Sequence, residues 1–363
     1  MEFTESQGET FNDVLFTPQY SDIESRSQIH IETDMGKFSI ALPLISANMK
    51  DITGPKMAYT MAINGRLGIL HRFGTIDDAV NDYKETINLL EENGGFNNDL
   101  LKELGTLDVH NNNIIRNKQM VVGVSIGVQD DDKERLKCLY SAGARLIVID
   151  VAHGHHVLMK NMLQYIRGEY GDELCLIAGN VATSEGARAL MSWGADIVKV
   201  GIGPGSACET RKNTGAGVPQ LRAIRNVRKG NPNAIIISDG GIKHNGDIPK
   251  ALKYANAVMV GSFIAGTSET PGHVYQNDKG EFYKVYGGSA SGERKVENGR
   301  KNAFVEGVVK IVPFRGKVKF ILRKSKDCIQ SSFSYSGSRN LPDFMEDAIL
   351  EDIGSGGKQE SKI

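Results

Sequence analysis

Short apolar runs and amphipathic stretches alternate along this chain with little interruption. Phe38–Asn48 is followed by a helical pattern near Gly54–Asn64, Arg66–Leu70 by one over Ile76–Glu92, and Val121–Val128 by the charged Asp130–Ala142. Arg145–Asp150 precedes Val157–Tyr170, and Leu174–Asn180 precedes Ser184–Trp193. Asp196–Gly201 leads into a glycine-rich loop and then Pro219–Arg228, Ala234–Asp239 leads into Asp247–Tyr254, and Asn256–Gly261 closes the series. The apolar runs are short and rich in β-branched residues, so they read as strands buried on both faces, the pattern of a parallel sheet. Eight such strands alternating with helices predict an α/β fold, a (β/α)8 TIM barrel. A doubly wound sheet would want G-x-G-x-x-G after its first strand, and Gly201–Ser206 (GIGPGS) does not match that pattern.

Two stretches fall outside the repeat. Glu91–Lys118 is rich in Asn, Gly and charge and is expected to be a surface excursion. Gly280–Arg315 is long, polar and punctuated by glycine, the character of a functional flap after the eighth strand. A single catalytic domain is expected over residues 1–345, with 346–363 as a tail that Gly354–Ile363 makes too polar to order.

In such a barrel the carboxyl ends of the strands line the active site. Those ends supply Asn48, His71, Asp150, Asn180, the loop carrying Cys208, Asp239 and Gly261-Ser262. Asp150 follows Ile-Val-Ile and Asp239 follows Ile-Ile-Ile-Ser, where the alternative is a carboxylate capping the next helix. Gly240-Gly241 and Gly261-Ser262 lie after strands seven and eight, where barrels bind phosphate on bare amides, and Ser206 offers a hydroxyl to the same group. The loop Lys199–Gln220 holds five glycines and Cys208, with Arg211 and Lys212 as nearby cations that favour the thiolate. The residues therefore point to a phosphorylated small molecule, a diol-binding carboxylate at Asp239 and a cysteine nucleophile. His153, His155 and His156 have no acidic or cysteine ligand beside them and are read as loop residues rather than a metal site.

Composition narrows the class without naming a substrate. A formal charge of −1 over 363 residues offers no pull toward nucleic acid or an anionic membrane. Four scattered cysteines (138, 175, 208 and 328) form no CxxC pair, which argues against a zinc site or disulfide framework. The polar, acidic start and the lack of a long apolar run lead to the expectation of a soluble cytoplasmic protein.

Four motifs carry a resemblance: GIGPGSACETRKNTGAGVPQ at 201–220, ISDGG at 237–241, VMVGSFIAGTSETPG at 258–272 and YGGSAS at 286–291. The chain resembles the inosine-monophosphate dehydrogenase and guanosine-monophosphate reductase family from about Phe11 to Gly337. The resemblance implies a purine nucleotide held with C2 near Cys208, and phosphate or base contacts from Ser206, Gly240, Gly241, Gly261, Ser262, Gly287, Gly288, Ser289 and Gly307. It implies a monovalent cation, usually potassium, on carbonyls of Gly203, Gly205, Cys208 and Arg211, and a homotetramer. A nicotinamide cofactor would meet Ser25, Arg26, Arg72, Asp150, Val151, Ala152, Ile202, Gly203 and Gly288, with Ser331, Ser332, Phe333 and Ser334 from the neighbouring subunit.

Within the family the reductase branch is the better match. Ser46-Ala-Asn-Met49 and Asp150-Val-Ala-His-Gly154 follow the reductase patterns, and Arg300 lacks the tyrosine that dehydrogenases place after it to activate water. No room exists between His71 and Val121 for the regulatory CBS insert of many dehydrogenases. Thr210 and Glu306 match the reductases' proton-relay pair. The expected activity is NADPH-dependent reduction of guanosine monophosphate; Arg26 and Arg72 suit the extra phosphate of NADPH. NAD-dependent oxidation of inosine monophosphate is the nearest alternative and a non-catalytic nucleotide-binding regulator a more distant one. Glu209 departs from the family's neutral residue after the cysteine, and an anion there opposes thiolate formation.

Overall fold

The apolar runs become strands close to where their pattern places them. The computed structural model describes residues 9–92, 122–287 and 309–360. β1 (Val14–Thr17), β2 (Thr33–Asp34) and β3 (Ser39–Ile40) precede the barrel. The closed barrel is β4 (Leu44–Ser46), β5 (Leu67–Leu70), β6 (Val122–Ile126), β7 (Leu146–Asp150), β8 (Cys175–Val181), β9 (Ile197–Val200), β10 (Ile235–Asp239) and β11 (Ala257–Val260), each parallel to the next, with β11 returning to β4. This is the expected (β/α)8 architecture. Its strands are buried along nearly their whole length, because side chains fill the barrel inside and helices cover it outside.

Helices follow the predicted windows, with Ile76–Glu92, Val157–Tyr170 and Asp130–Ser141 as examples. The predicted strand Phe38–Asn48 divides instead into β3 and β4, separated by Pro43. Proline has no N–H for a ladder, although its carbonyl still accepts from the Val258 amide at 2.9 Å.

Gly68 marks a close approach. A Cβ there would lie 2.5 Å from Cα of Ala58, on the helix Pro55–Ile63 that returns along β5. Gly68→Ala is expected to destabilise the fold by ~1–3 kcal/mol through overpacking, read as a lowered Tm in a thermal melt. A melt coincident with the parent's would mean that the helix moves aside freely.

Outside the barrel the structure departs from the sequence reading twice. The region read as a polar flap contains a ribbon: β13 (Phe282–Gly287) pairs antiparallel with β12 (Tyr275–Gln276) and with β14 (Val309–Pro313). The interior of the flap, including Gly288, Ser289, Glu306 and Gly307, lies outside the described residues, as does most of the excursion expected at Glu91–Lys118. The expected tail is ordered through residue 360. β15 (Ile349–Asp352) pairs with β1, and Gly354–Glu360 is helical, tied back by Lys358 Nζ to Asp13 Oδ1 at 2.5 Å. An edge strand and an ion pair supply what local composition lacks. Among the described residues, no helix is long and apolar enough to cross a membrane.

Candidate active site

Strand ends on adjacent β7, β8, β9 and β10 bring four polar side chains together. Asp150 ends β7, Asn180 lies near the end of β8, Lys199 lies within β9 and Asp239 ends β10. Lys199 Nζ donates to Asp150 Oδ1 at 2.9 Å, to Asp239 Oδ2 at 2.7 Å and to the side-chain oxygen of Asn180. Asn180 Nδ2 donates to Asp239 Oδ2 at 2.9 Å and to the Gly201 carbonyl at 2.6 Å. Burial pushes the Asp150 carboxyl up, but Lys199 and Arg72 beside it, with a hydrogen bond from Asn48, overcome this and hold it below the usual carboxylate range. Burial lowers the Lys199 ammonium, and the two carboxylates reverse that and hold it charged.

The helix-capping alternative for both carboxylates fails. The helix after Asp150 is capped by His156, whose Nδ1 accepts from the Leu158 amide at 3.2 Å. After Asp239, it is Asp247 whose carboxylate accepts from the Lys243 and His244 amides, each at 2.9 Å. Asp150 and Asp239 are left to the cavity.

Cys208 sits on the loop after β9, half-buried, with Sγ donating to Thr210 Oγ1 at 3.0 Å. Two glycine positions shape this loop. A Cβ at Gly201 would lie 2.0 Å from the Asp239 carbonyl, and one at Gly203, whose φ is +85°, would lie 2.7 Å from Cγ of Arg211. Arg211 therefore folds back along the loop, donating to the Val218 carbonyl at 2.7 Å. Lys212 pairs with Glu209 at 2.9 Å. Both cations expected to favour the thiolate are thus engaged elsewhere, and the anion beside the nucleophile is offset within its own turn. The other cysteine near the barrel core, Cys175, is buried and its thiol is pushed up to about 12 by burial, which makes it inert.

A cavity of about 1140 Å³ joins these groups. Cys208, Thr210, Asp239 and Gly240 line it with Asp150, Val151 and Ala152, and Ile202, Gly203 and Gly205 belong to the same wall. Arg72, Thr75, Asp78, Gln129, Asp131, Asp132 and Arg135 also belong to the lining. Arg135 is held there by donating to the Gly74 and Thr75 carbonyls at 2.7 and 3.2 Å. Arg72 brings to the lining a buried Nε without a hydrogen-bond partner.

Several groups were not legible in the sequence. Lys199 is one; its signal was a single charge inside an apolar strand, which burial obliges to find partners. Tyr286 is another: it lines the cavity, 4% exposed, with its hydroxyl pushed up to about 12 by burial. The ribbon that carries it is pinned to the rim, since the Gly287 amide donates to Asp51 Oδ2 at 2.8 Å and Lys310 Nζ to the Ser206 carbonyl.

Other expected residues stand apart. Ser25, Arg26 and Ser331–Ser334 are absent from the cavity lining and lie near one another, where Gln330 Nε2 donates to the Arg26 carbonyl at 3.1 Å. Phe333 is fully buried, stacked on Phe344 with ring centroids 4.1 Å apart, so its side chain packs the core. Ser206, Gly241, Gly261 and Ser262 are likewise outside the lining, although Gly261 is close: a Cβ there would lie 3.3 Å from Met49 Sδ. Among the described residues, no group of His, Cys, Asp and Glu is arranged to hold a metal ion.

Comparison with known proteins agrees with this geometry. The family model described as "IMP dehydrogenase / GMP reductase domain" matches residues 8–363. The sequence is 33% identical over 474 residues to an inosine-5'-monophosphate dehydrogenase of Nitrosopumilus maritimus, covering 100% of this chain and 98% of the relative. It is 35% identical over 336 residues to a GMP reductase of Lactobacillus delbrueckii subsp. bulgaricus, covering 91% of each. Among solved structures, a GMP reductase variant from Trypanosoma brucei in complex with guanosine 5'-monophosphate superposes with a TM-score of 0.86 at 26% identity, over 99% of this chain and 98% of that one.

Proposed function

The chain belongs to the IMP dehydrogenase / GMP reductase family, and on that premise we propose that it is a GMP reductase, converting guanosine monophosphate to inosine monophosphate and ammonia. The observation that carries the reading is one cavity with the Cys208–Thr210 pair and the carboxylates of Asp239 and Asp150 in its lining. Similar identity to both branches leaves the choice to residues, and Ser46-Ala-Asn-Met49, Asp150-Val-Ala-His-Gly154 and the missing tyrosine after Arg300 favour the reductase.

In this reading Asp239 accepts from the ribose diol. Both of its described bonds go to Oδ2, and a carboxylate has acceptor capacity left on its other oxygen. Phosphate lies against the amides after β10 and β11, at Gly240, Gly241, Gly261 and Ser262, with Ser206. The thiolate of Cys208 adds to C2 of the purine. Thr210, polarised by Glu306, delivers the proton that lets the amino group leave as ammonia. C2 of the resulting thioimidate takes up hydride, and expulsion of the Cys208 thiolate completes inosine monophosphate.

NADPH supplies that hydride when bound. The cavity lining would hold it through the orphaned Nε of Arg72, with Asp150, Val151 and Ala152 and, in a homotetramer, Ser331, Ser332 and Ser334 of a neighbouring copy; Asp78, Asp131 and Asp132 in the same lining would face its amide and hydroxyl groups rather than its phosphates. A potassium ion would be held by the carbonyls of Gly203, Gly205, Cys208 and Arg211. Those of Gly205 and Arg211 each accept one amide bond at 3.1 Å, which leaves a second lone pair on each.

The direct test is incubation with guanosine monophosphate and NADPH, following the nicotinamide absorbance and released ammonia. Oxidation of inosine monophosphate with NAD, without ammonia chemistry, would return the protein to the dehydrogenase branch. Within the same assay, Asp239→Ala is expected to raise the nucleotide KM ~10- to 100-fold, the worth of a charge-assisted bond pair. An unchanged KM would remove Asp239 from the substrate site.

A further inference from the structure

Lys199 is among the largest fully buried side chains in the protein, 2% exposed, while Asp150 and Asp239 are 22% and 21% exposed. The cation thus lies in the cavity wall almost wholly covered by its partners, and each carboxylate has one side on it and one toward the space where ligands bind. An ammonium has three donors, and all three are used, on Asp150, Asp239 and Asn180. Register makes room for it, since Lys199 pairs with Gly179 on β8, where a Cβ would lie 2.7 Å from its own. An apolar side chain of similar volume would pack a barrel at least as stably as a buried cation does. The reason for a lysine lies in what its two partners do.

We propose that Lys199 is a positioning residue of the active site: its one ammonium, bonded to both the diol acceptor Asp239 and the cofactor-side carboxylate Asp150, fixes how the two face the cleft. The inference rests on the reading of Asp239 as the ribose acceptor. The surroundings of the two carboxylates are unequal. Asp150 faces a second cation, Arg72 after β5, and Asn48 after β4. Asp239 has Asn180 on β8 and lies near the Tyr286 hydroxyl of β13, and Lys199 is the cation bonded to it. Loss of the ammonium therefore falls hardest on Asp239. Two half-buried carboxylates left facing each other titrate as a pair, one of them raised toward neutral pH. A protonated Asp239 accepts poorly from a diol, so nucleotide affinity is lost as pH falls through the raised value and regained as pH rises.

Calorimetric binding of guanosine monophosphate and its 2',3'-dideoxy analogue, from pH 6 to 9, tests this with Lys199→Met, Lys199→Arg and Lys199→Met/Asp150→Asn. Lys199→Met is expected to weaken the diol-bearing nucleotide ~10-fold or more at pH 6, a gap that closes toward pH 9, with little change for the dideoxy probe. Lys199→Arg should stay near wild type with a flat pH profile. The double variant should regain diol binding, because the opposing like charge has gone. Wild-type affinity in Lys199→Met, or equal losses for both probes without rescue, would overturn the inference. If Lys199→Met does not fold, Lys199→Gln decides: loss of diol binding at pH 6 that closes toward pH 9 supports the inference, and wild-type affinity at every pH overturns it. A wild-type protein that binds neither guanosine nor inosine monophosphate would instead overturn the nucleotide reading beneath it.

Discussion

Replacing Cys208 with alanine will reduce turnover of guanosine monophosphate by ~10³-fold or more, the scale of loss when a covalent nucleophile is removed. Binding of the nucleotide will persist. In the proposed reading its affinity comes from the diol acceptor Asp239 and the amides around Gly240, none of which depends on the sulfur. Fold stability will also persist, because Cys208 lies half-buried on a loop and its one described side-chain bond is to Thr210. Calorimetry beside a steady-state assay separates these effects. Retention of more than a few per cent of activity would rule out Cys208 as the nucleophile, and a parallel loss of binding would make it a structural residue of the pocket.

Glu306→Gln is the second large effect, and it discriminates between the branches. In the proposed relay Glu306 acts through Thr210 on the step that releases ammonia, while hydride transfer needs no proton from it. Steady-state reduction of guanosine monophosphate is expected to fall by ~10²- to 10⁴-fold, the usual worth of a positioned acid or base. Hydride transfer from inosine monophosphate to NADP in a single turnover should proceed at near the parent rate. Equal losses in both assays would show that Glu306 holds the site together rather than moving a proton. No loss in either would leave it a solvated residue of the flap.

The Glu209 substitution looked adverse in the sequence because an anion follows the nucleophile directly. Its pairing with Lys212 at 2.9 Å reduces that objection. The pair lies three residues apart in one short turn and is partly exposed, so its own contribution to stability is ~0–1 kcal/mol. Its consequence here is local charge balance beside Cys208.

The sequence by itself determined the barrel. Parallel strands buried on both faces must read as short continuous apolar runs, and the covering helices must be amphipathic, so both periods are written locally. Because strand ends face the site in any such barrel, Asp150, Asn180 and Asp239 were also legible, and so was the glycine loop with Cys208. Tertiary structure alone decided the electrostatics. Lys199 meets Asp150 and Asp239 across 49 and 40 residues of chain, and only the parallel pairing of β7, β8, β9 and β10 sets those strands side by side. The same holds for Phe333, which shares a helix with candidate cofactor residues yet turns into the core against Phe344. It holds too for Gly354–Glu360, whose composition favours disorder until β1 and Asp13 give it partners. Periodicity is a property of neighbouring residues, whereas a buried charge or an edge strand is stabilised by groups that only folding brings within reach.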